Sequence, residues 1–251
     1  MTFYDGIRVS GCVSFSEYWA RRGGVDPVDV SVLRLVSSIV SDDAARIAID
    51  VGANLGAFSL AMAKAGFDRV YVFEPVLETY GALIANLRLN PDLAGRIAPE
   101  RCALAAQPGA VTFEIHPKSP GQNKIAPGNC AGSPTQRCAA TTIDRYLSKL
   151  DAGSVALLKI DVEGFEGEVL KGADQALRSG RIHFIYSEVI PHALLNAGGS
   201  LDEFDNLLSS YGFEPVVISP AAPDHLEPTT LHDALTWAGS RRNVLFRRRE
   251  H

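Results

Sequence analysis

The residues best suited to chemistry lie in the run Asp50-Val51-Gly52-Ala53-Asn54-Leu55-Gly56, where a β-rich segment gives way to a helical one through two glycines. A tight glycine turn that opens a helix lets the backbone approach a ligand and offers it unpaired N–H groups. Two nucleotide classes compete for such a turn. The dinucleotide fingerprint G-x-G-x-x-G/A requires glycines at 52 and 54 and a small residue at 57; Ala57 fits, and Asn54 does not. The second glycine admits the pyrophosphate, so Asn54 argues against an NAD-dependent oxidoreductase and for a ligand without a diphosphate. Glu74 stands 18 residues beyond Gly56, at the end of the next β-rich run, where a carboxylate can take both ribose hydroxyls. Ribose binding without pyrophosphate points to S-adenosylmethionine. The plainer reading, that Gly52 and Gly56 only end a strand and start a helix, leaves Asp50, Asn54 and Glu74 unexplained.

Methyl transfer from a sulfonium is an in-line displacement, which needs the acceptor oxygen held about 3–3.5 Å from the methyl carbon. A hydroxyl acceptor must also lose its proton. Bases belong at the carboxyl ends of strands, where open α/β sheets bind ligands. Asp161 and Glu163 follow the apolar run 155–160, Glu188 ends the run 182–189, and His192 lies four residues on. Asp161 is the first candidate, ahead of Glu163, Glu188 and His192. Each has a plainer role: Asp161 as a helix cap or loop organiser, Glu163 and Glu188 as structural or cofactor contacts, His192 as a loop residue after Pro191. Asp161 and Glu188 could also hold Mg²⁺, but no third ligand of comparable strength accompanies them, so no metal is expected. Lys159, inside an apolar run, reads as a buried partner of Asp50 or Asp161. His116, His183, His225, His232 and His251 lack ligand spacing and read as surface or packing residues.

These residues need a scaffold. Short β-rich runs alternate with helical periodicity from residue 46 onward, which predicts βαβ units and a parallel sheet. Strands are expected at 46–51, 70–73, 97–104, 155–160, 182–189, 213–218 and 243–247, and a hairpin arm at 110–115. Helices are expected at 28–40, from Gly56 (Phe58, Ala61, Met62 and Ala65 on one face), along Tyr80, Leu83, Ile84 and Leu87, and at 166–177. The sequences Thr141-Thr142-Ile143-Asp144 and Ser200-Leu201-Asp202-Glu203 have capping-box spacing and should open two more. Residues 116–137 are rich in Pro, Gly, Ser and Asn and are expected to form a mobile surface loop, a candidate substrate lid.

Composition excludes several classes. The chain has 251 residues, 46% hydrophobic and 21% charged, which is ordinary globular composition. It reads as a single domain, with residues 1–45 a helical extension, 46–251 an α/β core and 116–140 a loop insertion. A net charge of −5 provides no field for a nucleic-acid backbone. Cys12, Cys102, Cys130 and Cys138 have no CxxC spacing, and no signal peptide or membrane-length apolar run is read, so a cytoplasmic protein is expected. Arg247-Arg248-Arg249 reads as a solvated charge run. A homodimer is left open.

The blocks IDVGANLGAFSL, VYVFEPVLETYGALIANLRLN, TTIDRYL and LLKIDVEGFEGEVLKGA resemble the FkbM family of S-adenosylmethionine-dependent methyltransferases, as IYSEV and NVLF do more weakly. The resemblance covers roughly 47–173. It implies the class I methyltransferase fold: a Rossmann-like, seven-stranded, mostly parallel sheet with helices on both faces and an antiparallel last strand. It also implies cofactor contacts around Asp50, Gly52, Ala53, Asn54, Gly56, Ser59, Glu74 and Pro75, with adenine near Ala103 and Leu104 and Asp161 at the edge of the set. The family implies O-methylation of a secondary metabolite, sugar or glycolipid; a non-catalytic adenosyl-binding module is the remaining alternative. Residues 1–45, 116–140 and 190–240 have no counterpart in it, and acceptor identity is expected there.

Overall fold

The computed structural model describes residues 2–3, 6–10, 25–40, 46–116, 123–126, 134–150, 153–219, 222, 224–238 and 243–249. In chain order the elements begin β1 (Thr2–Phe3), β2 (Ile7–Arg8), α1 (Pro27–Ile39), β3 (Ile47–Val51), α2 (Ala57–Ala65), β4 (Arg69–Phe73), α3 (Leu77–Leu89) and α4 (Pro91–Ala94). There follow β5 (Ile97–Glu100), β6 (Ala103–Leu104), β7 (Gly109–Glu114), β8 (Lys124–Ile125), β9 (Thr135–Thr141), α5 (Ile143–Leu147), β10 (Val155–Ile160), α6 (Glu166–Lys171) and α7 (Asp174–Arg178). The chain then forms β11 (Ile182–Glu188), α8 (Pro191–Asn196), α9 (Leu201–Ser210), β12 (Phe213–Ile218), β13 (Leu226–Pro228), α10 (Leu231–Ala238) and β14 (Asn243–Arg248).

The main sheet has eight strands in the order β13-β12-β14-β11-β10-β3-β4-β5. Strands β5, β4, β3, β10 and β11 run parallel, and β14 enters antiparallel between β11 and β12. The seven expected strands are all present, and the short β13 adds an eighth at the edge. The chain winds outward from β3 through β4 to β5, then returns to place β10 against the other side of β3. That reversal opens a crevice at the carboxyl ends of β3 and β10, which is where such sheets bind ligands.

Each central strand is buried on both faces, as parallel strands between helices must be. Ala48, Leu157, Tyr186 and Leu245 face a core shared with Leu33 and Val36 of α1, Leu60 and Met62 of α2, and Leu83 of α3. Ile49, Leu158, Ile160 and Ile185 face the opposite core, with Leu170, Leu177, Phe204 and Leu208. Asp26 caps α1 by accepting from the Val28 N–H at 2.8 Å, with Pro27 in the first helical position. Two buried amides tether the amino-terminal strand to α3. Asn90 Oδ1 accepts from the Arg8 N–H at 2.8 Å, and Asn86 Oδ1 accepts from the Ser10 N–H at 2.7 Å. Asn86 Nδ2 also donates to the Leu55 carbonyl at 2.9 Å, so the same residue holds the glycine turn.

Several boundaries differ from those expected. The run 97–104 divides at Arg101 and Cys102: β5 closes the main sheet, while β6 pairs with β9 in a second sheet ordered β6-β9-β7-β8. The hairpin arm at 110–115 is β7, and residues 124–125 and 135–137 of the expected loop are strands beside it. Residues 117–122 and 127–133, the remainder of that candidate lid, lie outside the described residues, as does His251. The helix expected over 166–177 breaks in two, because Gly172 packs so tightly that a β-carbon there would lie 2.1 Å from the Ala105 carbonyl oxygen. Asp144 then satisfies the second piece, accepting from the Gln175 and Ala176 N–H groups at 2.9 Å each. The cap of α5 is Thr142, bonded to the Arg145 N–H at 3.0 Å, not Thr141. Ser200 caps α9 as its spacing predicts. The terminal arginines are structural: Arg248 caps the Leu177 carbonyl, and Arg247 and Arg249 pair with Glu214.

Replacing Asn86 with Ala should cost about 2–4 kcal/mol, because the buried Leu55 carbonyl and the part-buried Ser10 N–H lose their partners. Urea denaturation of Asn86→Ala beside the parent checks this; a loss under about 1 kcal/mol would mean water replaces the tether.

Candidate active site

The glycine turn is built by positive backbone angles. Gly52 has φ +76° and Gly56 has φ +78°, and Asn54 between them sits at φ +54°. Asn is among the side chains that tolerate this region, whereas Gly52 is required for a second reason. A β-carbon on Gly52 would lie 1.9 Å from the carbonyl oxygen of Asp161, so the end of β3 touches the end of β10 there. The Gly52 and Ala53 N–H groups both donate to the Phe73 carbonyl, at 3.0 and 3.1 Å, which joins the turn to the end of β4.

Glu74 lies directly beyond that carbonyl, with only 6% of its surface exposed. Its carboxylate accepts from the Asn54 N–H at 3.0 Å and the Val76 N–H at 2.9 Å. Burial pushes its pKa up to about 7, against the pull of those two N–H groups. The Asn54 side-chain oxygen is buried and has no hydrogen-bond partner. Pro75 offers its carbonyl to Gln136 Nε2 and Cys138 Sγ, each at 3.3 Å, tying the turn after β4 to β9. Ala103 packs with Val76, and Leu104 packs in the core with Phe73; both side chains are buried, so a ligand would meet them through backbone.

Beneath the turn lies a buried charge relay. Asp50 is fully buried, accepts the Ser59 hydroxyl at 2.5 Å and faces the Lys159 ammonium at 3.3 Å. Lys159 reaches Asp161 Oδ2 at 3.2 Å and lies 5.2 Å from the centre of the Phe58 ring. Burial alone would discharge the ammonium, but Asp161 and Asp50 together raise its pKa above the ordinary lysine value. The sequence left Asp50 and Asp161 as alternatives for Lys159, and it pairs with both.

Asp161, Glu163 and Glu188 present carboxylate oxygens within 4.8 Å of one another. Glu163, a candidate base from its place after β10, is also the third acid beside Asp161 and Glu188 that was not expected, and it is carried there at φ +54°. Apart from glycines, Asn54 and Glu163 are the two described residues with positive φ, and both stand at this crevice. Burial first, then the charges of Asp161 and Glu163, raise the Glu188 pKa well above the usual carboxylate range. Three acids this close need a proton, a cation or an acceptor's hydroxyl hydrogens to share. His192 is exposed on α8 and is not part of this group. Sequence reasoning missed Glu166, buried beneath the loop, whose carboxylate accepts from the Val162 and Gly164 N–H groups at 3.2 and 3.1 Å. It also missed Asn243, which faces Glu188 in register and donates to Asp29 Oδ1 at 3.5 Å; its place at the head of the NVLF block was the available signal.

A sequence profile described as a methyltransferase FkbM domain matches residues 50–215. The methyltransferase sdnD of Sordaria araneosa is 32% identical over 156 residues, 51% of this chain and 60% of that protein. The hexuronic acid methyltransferase AglP of Haloferax volcanii is 30% identical over 178 residues, 70% of this chain and 67% of its own length. A crystal structure of methyltransferase FkbM from Methylobacillus flagellatus shares the fold with a TM-score of 0.51 at 18% identity, covering 96% of this chain and 56% of that one. The chain thus spans little more than half the length of some relatives. No helix among the described residues is long and apolar enough to cross a membrane.

The raised pKa of Glu74 makes a stability prediction with a definite sign. The folded state holds this proton up to about pH 7, whereas an unfolded carboxyl releases it near its ordinary value of 4.5. Stability from Glu74 should therefore fall as pH rises through that window, by about 3 kcal/mol in all. Urea unfolding at pH 5 and pH 8 should show the parent losing about 2–3 kcal/mol more than Glu74→Gln over that range.

Proposed function

Because the chain belongs to the FkbM methyltransferase family, we propose that it moves the methyl group of S-adenosylmethionine to a hydroxyl oxygen of a small or sugar-bearing metabolite. The observation that carries this reading is the close approach of Gly52 to the Asp161 carbonyl. It makes the glycine turn and the acid cluster adjoining parts of one surface, so a ligand in the turn lies beside the carboxylates.

The donor set suits the cofactor. Gly52 leaves a cradle without a side chain, Glu74 is a buried acceptor, and the Asn54 side-chain oxygen is buried without a partner. When bound, the cofactor supplies a methyl group activated by its sulfonium. Glu74 accepts the ribose hydroxyls, and Asn54 takes one further donor. Asp161 would take the acceptor's hydroxyl proton as the oxygen–carbon bond forms and the carbon–sulfur bond breaks, leaving S-adenosylhomocysteine. Glu188, which retains its proton near neutral pH, donates to the acceptor instead of repelling Asp161.

The name of the Haloferax relative supports a sugar-bearing acceptor. Family membership replaces the NAD-dependent alternative that Asn54 already disfavoured. Cys102 and Cys138 are free thiols, which suits the cytoplasmic setting we propose.

Calorimetric titration should detect binding of S-adenosylhomocysteine and none of NAD. Glu74→Ala should weaken the former by about 1.5–3 kcal/mol, and unchanged affinity would remove Glu74 from the ribose site. Turnover is read as tritium passing from methyl-labelled cofactor to a panel of hexuronosides and hydroxylated metabolites. Binding without any transfer would favour an adenosyl-binding module. Asp161→Asn should slow transfer by about 10²–10⁴ while leaving cofactor affinity nearly intact. Loss of S-adenosylhomocysteine binding in that variant would instead assign Asp161 to the cofactor shell, and the base to Glu163, Glu188 or His192.

A further inference from the structure

Lys159 is the single charged residue of β10, a strand otherwise made of Val155, Ala156, Leu157, Leu158 and Ile160, and only 3% of it is exposed. A lysine in that position is rarely tolerated without a counter-ion, since burying an unpaired ammonium costs several kcal/mol. One counter-ion is enough to neutralise it. Asp50, its register partner on β3, supplies that charge at 3.3 Å, and Ser59 donates to its other carboxylate oxygen at 2.5 Å. The Asp50 oxygen that faces the ammonium has no hydrogen-bond partner, so the pair balances charge without satisfying the three N–H donors.

The hydrogen bond of the ammonium goes instead to a carboxylate at the rim of the crevice. Asp161 is 37% exposed and could be solvated by water, yet its Oδ2 is held by the same ammonium at 3.2 Å. Asp161 also sits with Glu163 and Glu188, their oxygens within 4.8 Å, so the ammonium anchors one corner of a three-carboxyl cluster. Carboxyl groups gathered this closely mark a functional constraint. The ammonium has little room to shift: Phe58 of α2 faces it at 5.2 Å, and Tyr186 is its register neighbour on β11.

We propose that Lys159 is a positioning residue for methyl transfer: its buried ammonium fixes the rim carboxylate of Asp161 to Asp50 on the cofactor strand, so that the turn and the proton acceptor hold one geometry. The proposal rests on the hydroxyl-methylation reading above. Anchoring one oxygen of Asp161 restricts rotation of the carboxylate and holds it in one direction beside two other acids, as proton removal requires.

The test is made in an Asp50→Asn background, because Lys159→Met alone would leave Asp50 as an uncompensated buried charge. The first arm needs no acceptor. Carbon-13 carboxyl resonances of aspartate-labelled protein are recorded at one pH, with Asp161 identified by its absence from Asp161→Asn. Adding Lys159→Met should displace the Asp161 resonance, because its carboxylate loses the ammonium at 3.2 Å, and an unmoved resonance overturns the proposal. The second arm is a mutant cycle in kcat, using the acceptor found in the turnover screen. Lys159→Met should lower kcat about tenfold or more with Asp161 present and less than about twofold with Asn at 161. The S-adenosylhomocysteine dissociation constant should move less than about threefold throughout. An equal kcat loss with and without Asp161 would reduce Lys159 to a structural ion pair. If the parent binds S-adenosylhomocysteine but transfers to nothing, the hydroxyl-methylation reading fails, and the resonance arm still decides the link between Lys159 and Asp161.

Discussion

Gly52 has no side chain at the point where a β-carbon would fall 1.9 Å from the Asp161 carbonyl oxygen, and the whole crevice depends on that vacancy. Any other residue would push apart the ends of β3 and β10, the two strands between which the winding of the sheet reverses. The Gly52 and Ala53 N–H groups would then lose their shared acceptor on Phe73, and Asn54 would lose its hold on Glu74. Backbone, carboxylate and acid cluster are thus set by one steric allowance. The positive φ of 76° at Gly52 adds a second reason for the same residue.

The charges around the crevice do not serve stability. A fully buried aspartate, a buried lysine and a buried glutamate lie within two turns of the same strand ends, and Burial raises the Glu74 pKa to about 7. An apolar set of similar volume would fold at least as well, since buried ion pairs seldom repay their desolvation. What the polar set provides is fixed direction: Lys159 points between two carboxylates, and Glu166 accepts two loop N–H groups beneath Glu163. Glu163 in turn occupies a left-handed conformation unusual for its type, the kind of local strain found where position matters more than stability.

Much of this was legible because local rules and global fold agree where the chain is most regular. The central parallel strands are dominated by apolar residues, and Asp50, Glu74, Asp161 and Glu188 announce themselves by standing at or near their ends. Illegible features depend on contacts between distant segments. Gly172 lowers helix propensity locally, but the close approach of the Ala105 carbonyl that requires a glycine there comes from a distant segment. Strands β8 and β9 escaped detection because their sequence is Pro- and Gly-flanked and half-exposed, with no apolar alternation strong enough to register. Glu163 was legible as a candidate base beside Asp161 and Glu188, but the positive φ that brings it within reach of both is not encoded by sequence patterns.

The matched region 50–215 contains the glycine turn and all three acids, but it does not complete the sheet around them. Beyond it, β14 lies against β11 and brings Asn243 opposite Glu188. Before it, α1 supplies Asp29, which accepts the Tyr186 hydroxyl at 2.5 Å and the Asn243 amide at 3.5 Å. Tyr186 is two residues ahead of Glu188 on the same face of β11, and Phe58 of α2 lies against its ring at 6.0 Å. Segments from both ends of the chain therefore meet beside the acid cluster and are joined there by Asp29. The half of the crevice built from the turn and Glu74 is formed by the matched region alone, whereas the half beside Glu188 is finished by α1 and β14. Variation in those flanking segments would alter the walls next to the acids while leaving the turn untouched. The turn and the acids thus lie within the matched region, whereas the segments that finish the wall beside Glu188 lie on either side of it.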